Sequence, residues 1–221
     1  MLKVEKVSKK FGGVVALDDV TLEVARGEVL AVIGPNGSGK TTLINVISGA
    51  VRTDSGRIIF EGVDITKLPM HKRVELGIVR SFQMPMLFHS ANVLDNIKIA
   101  AATSSPYSMA LKDQAAREML SLFNLPERQK IHALSEGQRK LLDILLSLVK
   151  RPKLLMLDEP TSSVSSQEKM QHMSVIINAA KRLNTTLIIV EHDLEIVREF
   201  ADRVVVMESG RITKITTPQE I

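Results

Sequence analysis

The stretch Gly34-Pro35-Asn36-Gly37-Ser38-Gly39-Lys40-Thr41 constrains this chain more than any other. It has the spacing G-x-x-x-x-G-K-[ST], in which glycines let the backbone curl until several N–H groups point into one hollow. Such a hollow suits an anion. Lys40 is long enough to reach the β- and γ-phosphates of a nucleotide, and Thr41 offers its hydroxyl to Mg²⁺. The flanks agree with this reading. Glu28 to Ile33 reads Glu-Val-Leu-Ala-Val-Ile, an apolar run suited to a buried strand. After the loop, Leu43, Ile44, Val46 and Ile47 recur at helical spacing, and Gly49 is placed to end that helix. Strand, loop and helix in this order aim a helix N-terminus at phosphate. A chance match in a glycine-rich turn would lack these flanks.

Composition narrows the class. The 221 residues are enough for one large domain or two small ones, and 44% are hydrophobic, so a sizeable core can form. With no cysteine there is neither a disulfide framework nor a Cys-based metal site, which suits a reducing cytosol. Met1 to Lys10 alternates charge with valine and does not read as a signal peptide. The longest apolar candidate, Leu141 to Val149, is too short to span a bilayer and is broken by Asp143. The expectation is a soluble, cytoplasmic protein that docks on something in a membrane. The net charge of +4 is spread in short pairs such as Lys9-Lys10, Lys72-Arg73 and Lys150-Arg151. Aromatic residues make up only 3%, too few for base-stacking platforms, so nucleic acid is not an expected partner.

Along the chain, residues 2–7 and 14–24 alternate as strands around the turn Phe11-Gly12-Gly13, and Arg57 to Phe60 forms another strand after the turn Asp54-Ser55-Gly56. These make an antiparallel patch against the nucleotide core. Phe11 is either a core plug or a face for an adenine ring, and the spacing alone favours the plug. A short helix runs from Pro69 to Leu76, with proline first and Gly77 at its end. Ile78 to Phe82 reads as a strand leading into Gln83. From Val93 to about Leu125 the pattern is helical, and residues 84–150 read as a helical lobe inserted into an α/β core. The whole chain, 1–221, is then a single domain: a P-loop core with a parallel sheet, an N-terminal antiparallel patch and the lobe.

Three further stretches carry chemistry. Leu134-Ser135-Glu136-Gly137-Gln138 opens a helix, with Ser135 and Gln138 spaced as a capping box. The same residues suit an anion: a hydroxyl, a glycine allowing close approach and the positive end of a helix dipole. Spacing does not choose between the two. Leu154 to Leu157 is a buried strand ending in Asp158-Glu159, a carboxylate pair where open α/β sheets gather ligands, which suggests Mg²⁺ handling. Thr186 to Val190 is the next strand, and it delivers Glu191-His192-Asp193 to the same edge. Ser165 and Glu168 read as a second capping box, and Val204 onward as a closing hairpin.

The ordered set of the phosphate loop, Gln83, Leu134-Ser135-Glu136-Gly137-Gln138, Leu157-Asp158-Glu159-Pro160 and His192 resembles the ATP-binding subunit of an ABC transporter over essentially the whole chain. The resemblance implies that two such domains pair head to tail, with ATP between the phosphate loop of one and Ser135, Gly137 and Gln138 of the other. Gly34 to Lys40, with Thr42 helping, would hold the phosphates. Thr41, Gln83 and Asp158 would attend Mg²⁺. Glu159 would be the general base, His192 would contact the γ-phosphate, and Phe11 would stack on adenine, which reverses the preference for a plug. Permease subunits in the membrane are implied, with a solute-binding protein if the system is an importer. The stretches Leu76 to Gln83, Val93 to Ile97 and Glu191 to Asp193 are most similar to ATPases of branched-chain amino-acid importers. Two positions depart from the family pattern. Glu136 stands for a common glycine, and Ser165 for the usual aspartate, which removes a negative charge from the expected dimer interface. Finally, Met84, Met86, Leu87 and Phe88 around Pro85 read either as plain core packing or, the preferred expectation, as part of a groove for a short helix of a membrane subunit.

Overall fold

The computed structural model describes residues 1–81, 87–102, 109–162 and 164–221, with side chains for all of these except 109–115, 166 and 167. Two N-terminal strands, β1 (Leu2–Phe11) and β2 (Val14–Val24), lead into β3 (Val29–Ile33) and the helix α1 (Lys40–Ser48). Next come β4 (Ser55–Phe60), β5 (Val63–Asp64), α2 (Met70–Glu75) and β6 (Ile78–Arg80). The helices α3 (Val93–Ala102), α4 (Met109–Phe123) and α5 (Glu136–Leu148) fill the middle. The chain continues through β7 (Leu154–Asp158), α6 (Ser166–Arg182), β8 (Thr186–Val190), α7 (Leu194–Phe200), β9 (Arg203–Glu208) and β10 (Arg211–Thr216).

These strands make two sheets. One is antiparallel, in the order β2-β1-β4-β5; the other runs β10-β9-β3-β8-β7-β6. In the second, β6, β7, β8, β3 and β9 are parallel, and only the edge strand β10 is antiparallel. The α/β architecture with an antiparallel patch and packed helices is therefore as the sequence predicts. The parallel strands are buried on both faces, so they read as continuous apolar runs. Their alternation divides two cores. Leu155, Leu157, Leu187 and Ile189 join the helices of the middle segment. Leu154, Met156, Ile188 and Val190 join α1 and the antiparallel sheet.

Register sets the site. Val32 lies beside Val190, and Val190 beside Asp158. The parallel strands β3, β8 and β7 therefore end level, and the residues just beyond them emerge along one edge.

Several boundaries differ from the sequence reading. β1 runs on to Phe11, so only Gly12 and Gly13 turn the chain. Ser55 and Gly56 belong to β4 rather than to a turn. Gly56 has φ +84 at a register shift, and a Cβ there would lie 2.4 Å from the Lys6 carbonyl oxygen, so the glycine marks a bulge. Pro69 caps α2 from outside rather than starting it. At α6, Ser165 is the N-cap but makes no capping hydrogen bond. Its hydroxyl donates to Glu168 Oε2 at 2.6 Å, and its oxygen accepts from no backbone N–H of the first turn.

One buried cation holds α1 from below. Arg73 is 1% exposed and donates to the carbonyls of Val46 and Ile47, both at 2.8 Å, at the C-terminal end of α1. It also donates to the carbonyls of Leu68 at 2.9 Å and Thr66 at 3.0 Å. The last carbonyls of a helix lack intrahelical partners and carry partial negative charge, so a guanidinium there both satisfies and neutralises them. Burial lowers the Arg73 pKa without removing the charge. Arg73→Ala should lower unfolding free energy by about 3 kcal/mol or more, since a hydrogen bond to a charged group contributes about 1.5–3 kcal/mol. Arg73→Lys should recover only part of this, because a point charge cannot span the carbonyls. Urea unfolding measures both, and an unchanged midpoint for Arg73→Ala would refute the role.

Candidate nucleotide site

The loop between β3 and α1 is wound tightly. Gly34 has φ +146, Gly37 φ +79 and Gly39 φ +103, values that L side chains rarely adopt. A Cβ on Gly34 would lie 2.1 Å from the Met207 carbonyl oxygen, and one on Gly39 would lie 2.4 Å from that of Ala16. A Cβ on Gly37 would meet nothing within 4 Å. The loop is thus seated on β9 and β2 with Gly37 facing outward. The closing hairpin adds support: Gly210 N–H donates to the Ser38 carbonyl at 3.0 Å, and Asp18 N–H to the Gly210 carbonyl at 2.9 Å. Gly39 caps α1 with no side-chain hydrogen bond, which leaves the helix N-terminus open to an anion.

The polar groups of the loop are poised in the same way. Lys40 is 6% exposed, and its ammonium donates to the Gly34 carbonyl at 2.7 Å and the Pro35 carbonyl at 2.9 Å. Burial draws its pKa below the ordinary value, while Glu159 and Asp158 oppose that shift. Ser38 is buried, and its Oγ has no hydrogen-bond partner. Pro35, Asn36 and Thr41 are exposed and Thr42 is half-buried.

The carboxylate pair follows β7. Asp158 Oδ1 accepts from Thr41 Oγ1 at 3.4 Å, and its Oδ2 accepts from Arg80 at 3.1 Å. Glu159 has φ +49, a costly value for a residue with a side chain, and its backbone is tied down by donation to the Val190 carbonyl at 3.0 Å. Glu159 Oε1 lies 3.0 Å from His192 Nε2. The structure brings Lys40, Thr41, Asp158, Glu159 and His192 to one edge.

Glu191 explains how two of these segments are held, and the sequence reading missed it. Its carboxylate is 4% exposed and accepts from Thr161 Oγ1 at 2.7 Å, Thr161 N–H at 3.3 Å and His192 N–H at 3.1 Å. It binds the turn after Glu159 to the one that carries His192. Arg80 was missed as well. The available signal was an arginine at the end of an otherwise apolar strand.

Other predicted residues lie elsewhere. Ser135 and Gln138 form the capping box: Gln138 N–H donates to Ser135 Oγ at 3.2 Å and Ser135 N–H to Gln138 Oε1 at 3.0 Å. Ser135 stays exposed and Gly137 half-buried, with His172 packed behind Gly137. Phe11 is 48% exposed, with Lys9 Nζ 5.3 Å from its ring centroid, so it is not a core plug. Gln83, Met84 and Met86 lie outside the described residues. Leu87 is buried in the core of the middle helices, contrary to its expected place in a groove, whereas Phe88 is 53% exposed.

The donor set fits the groups it was expected to hold. A twisted glycine loop, an open helix N-terminus and a buried lysine suit the phosphates of ATP. A hydroxyl beside a carboxylate is a hard oxygen pair, suited to Mg²⁺ shared with phosphate oxygens. Among the described residues no group of three or more His, Asp or Glu side chains forms a cage that would hold a metal by itself.

Strand, glycine loop, lysine and an Asp-Glu pair two strands away define a P-loop nucleoside triphosphatase. A family described as ABC transporter matches residues 17–162. The chain is 38% identical to a probable branched-chain amino acid transport ATP-binding protein, LivG, of Archaeoglobus fulgidus, covering 96% of this chain and 87% of that protein. It is also 38% identical to an Fe(3+) ions import ATP-binding protein, FbpC, of Streptomyces coelicolor, covering all of this chain but 63% of that protein. Among solved structures it is similar to cbiO1 from Clostridium perfringens, part of the ABC transporter complex cbiONQ. That match has a TM-score of 0.90 and 32% identity over 99% of this chain and 89% of the other. The chain belongs to the ABC transporter family and is an ATP-binding cassette, an ABC ATPase.

The exposure of Phe11 yields a prediction. Removing an exposed side chain away from special features changes stability by no more than about 0.5 kcal/mol. A ring that stacks on a base contributes about 1–3 kcal/mol to binding. Phe11→Ala should leave the melting temperature nearly unchanged and weaken ATP affinity by that amount, measured by calorimetry. Unchanged affinity would show that the ring does not touch the nucleotide.

Proposed function

We propose that this protein powers solute transport by hydrolysing ATP at the edge where Lys40, Thr41, Asp158, Glu159 and His192 meet. The observation that carries the reading is Glu159 Oε1 at 3.0 Å from His192 Nε2, one residue beyond Asp158. Gly34, Pro35, Asn36, Gly37, Ser38 and Gly39 wrap the phosphates with backbone N–H groups, Lys40 supplies the positive charge, and Thr42 assists. Thr41, Asp158 and Gln83 hold Mg²⁺, which when bound neutralises phosphate charge. Glu159 accepts the proton of the attacking water, and His192 positions the γ-phosphate side of the site.

The site is completed by a second ABC domain, of the same or a related chain. Its Ser135, Gly137 and Gln138 face the nucleotide, as the exposure of the Ser135 cap at the head of α5 supports. The aspartate that the family carries at position 165 is replaced by serine, yet Glu168 is hydrogen-bonded to Ser165 and keeps a carboxylate there. The whole chain acts as one nucleotide-binding domain, with approximately residues 84–150 as its helical lobe.

Among the described residues no helix is long and apolar enough to cross a membrane. Transport therefore needs permease subunits, which keep the protein peripheral on the cytoplasmic face. The Leu76 to Gln83 and Glu191 to Asp193 stretches, with the archaeal relative, favour import of branched-chain amino acids, with a solute-binding protein upstream. Phe88, an exposed aromatic side chain, supports docking of a permease helix at that position.

Two experiments test this. Glu159→Gln should reduce hydrolysis by about 10²–10⁴-fold, the usual range for a general base, while retaining ATP binding. Hydrolysis near the parent rate would remove Glu159 from that role. In the assembled transporter, Phe88→Asp should uncouple uptake from hydrolysis and leave the ATPase rate of the isolated subunit within about twofold, because Phe88 is an exposed side chain outside the site. Unchanged uptake would place the docking surface elsewhere.

A further inference from the structure

Arg80 is the last residue of β6, opposite Met156 of β7 in the parallel register. Ile78 and Met156 face the core that contains α1, and strand alternation turns Arg80 and Asp158 to that same face. The side chains meet there. Arg80 Nη2 donates to Asp158 Oδ2 at 3.1 Å and Nη1 donates to Asn45 Oδ1 on α1, while the buried Nε has no hydrogen-bond partner. The two charged side chains are 12% and 7% exposed, so this is not a loosely solvated surface pair. Asp158 Oδ1 is left beside the Thr41 hydroxyl at 3.4 Å. The two oxygens of Asp158 are thus divided. One is held by the chain's own cation, and the other lies on the side where Mg²⁺ would stand.

A buried carboxylate beside a polyphosphate is a repulsive arrangement unless something neutralises it. The divalent cation does so when it is present. We propose that Arg80 does so when it is not: it is a resident counter-charge and positioning residue for Asp158, and it makes nucleotide binding less dependent on the divalent cation. Because Arg80 also grips Asn45, it fixes Asp158 relative to the helix that carries Lys40 and Thr41. An arginine fork suits this task, since it can hold a carboxylate oxygen and an amide oxygen at once. The inference rests on the reading that Asp158 and Thr41 face the cation.

The test is ATP affinity by calorimetry, in EDTA and in excess Mg²⁺, for the parent, Arg80→Gln, Arg80→Lys, Asp158→Asn and the double variant Arg80→Gln/Asp158→Asn. Arg80→Gln should weaken metal-free binding about tenfold, the effect of one pKa unit of charge interaction, and Mg²⁺-supported binding by less than about threefold. Arg80→Lys should retain most of the metal-free affinity. With Asp158→Asn in place, Arg80→Gln should no longer change it. Arg80→Met, matched to its apolar neighbours Ile78 and Met156, replaces Arg80→Gln if that variant does not fold. Equal losses with and without Mg²⁺, or a loss that persists beside Asp158→Asn, would overturn the proposal. If Asp158→Asn keeps the parent's full gain in affinity on adding Mg²⁺, the cation-site reading itself is overturned, and this inference with it.

Discussion

The structure depends on how α1 is clamped. At its head, Gly34 and Gly39 lie so close to the carbonyls of Met207 and Ala16 that no side chain fits. At its foot, Arg73 gathers the carbonyls of Val46 and Ile47. A helix whose N-terminus must face an anion has a dipole that cannot be capped by its own side chains, so its stabilisation comes from elsewhere. Here it comes from β2 and β9 above and α2 below. That requirement accounts for the antiparallel sheet and the closing hairpin, which otherwise look like appendages to a parallel core.

The same constraint orders the charges. Lys40 is a buried cation facing Asp158 and Glu159. Arg80 pairs with Asp158, and Glu191 is satisfied by Thr161 and the His192 backbone. Lys140 on α5 is also buried, and it too feels Asp143, Asp158, Glu159 and Glu191 after the effect of burial. Buried charge is tolerated where it is compensated. In this chain the compensation is distributed across α1, α5, β6, β7 and β8, so the site is a property of the whole parallel edge rather than of the loop alone.

Much of this was legible in the sequence, for definite reasons. The loop, the buried strands and the Asp158-Glu159 pair announce themselves through local spacing, because glycine turns and apolar runs are local requirements. The Ser135 capping box was legible for the same reason. The Ser165 box was not, because serine and glutamate at the right spacing can bond to each other, side chain to side chain, instead of to the backbone N–H groups. Phe11 misled on spacing alone, since an aromatic beside two glycines reads alike whether it points in or out. Arg73, Arg80 and Glu191 were illegible, because their partners come from distant segments and only the folded register brings them together. Leu87 was misjudged because an apolar residue beside a proline does not reveal which way it faces.

The central proposal is that the phosphate loop of one ABC domain and the Ser135 cap of a second, from the same or a related chain, enclose one nucleotide. The chain has no cysteine, so introduced thiols report without background. Asn36 and Glu136 are both exposed, one on the loop and one beside the cap. Copies carrying Asn36→Cys mixed with copies carrying Glu136→Cys should form an intermolecular disulfide under mild oxidation when ATP is present and hydrolysis is blocked, and little without nucleotide. A cross-link yield that does not respond to ATP would contradict enclosure of the nucleotide between two copies of this chain.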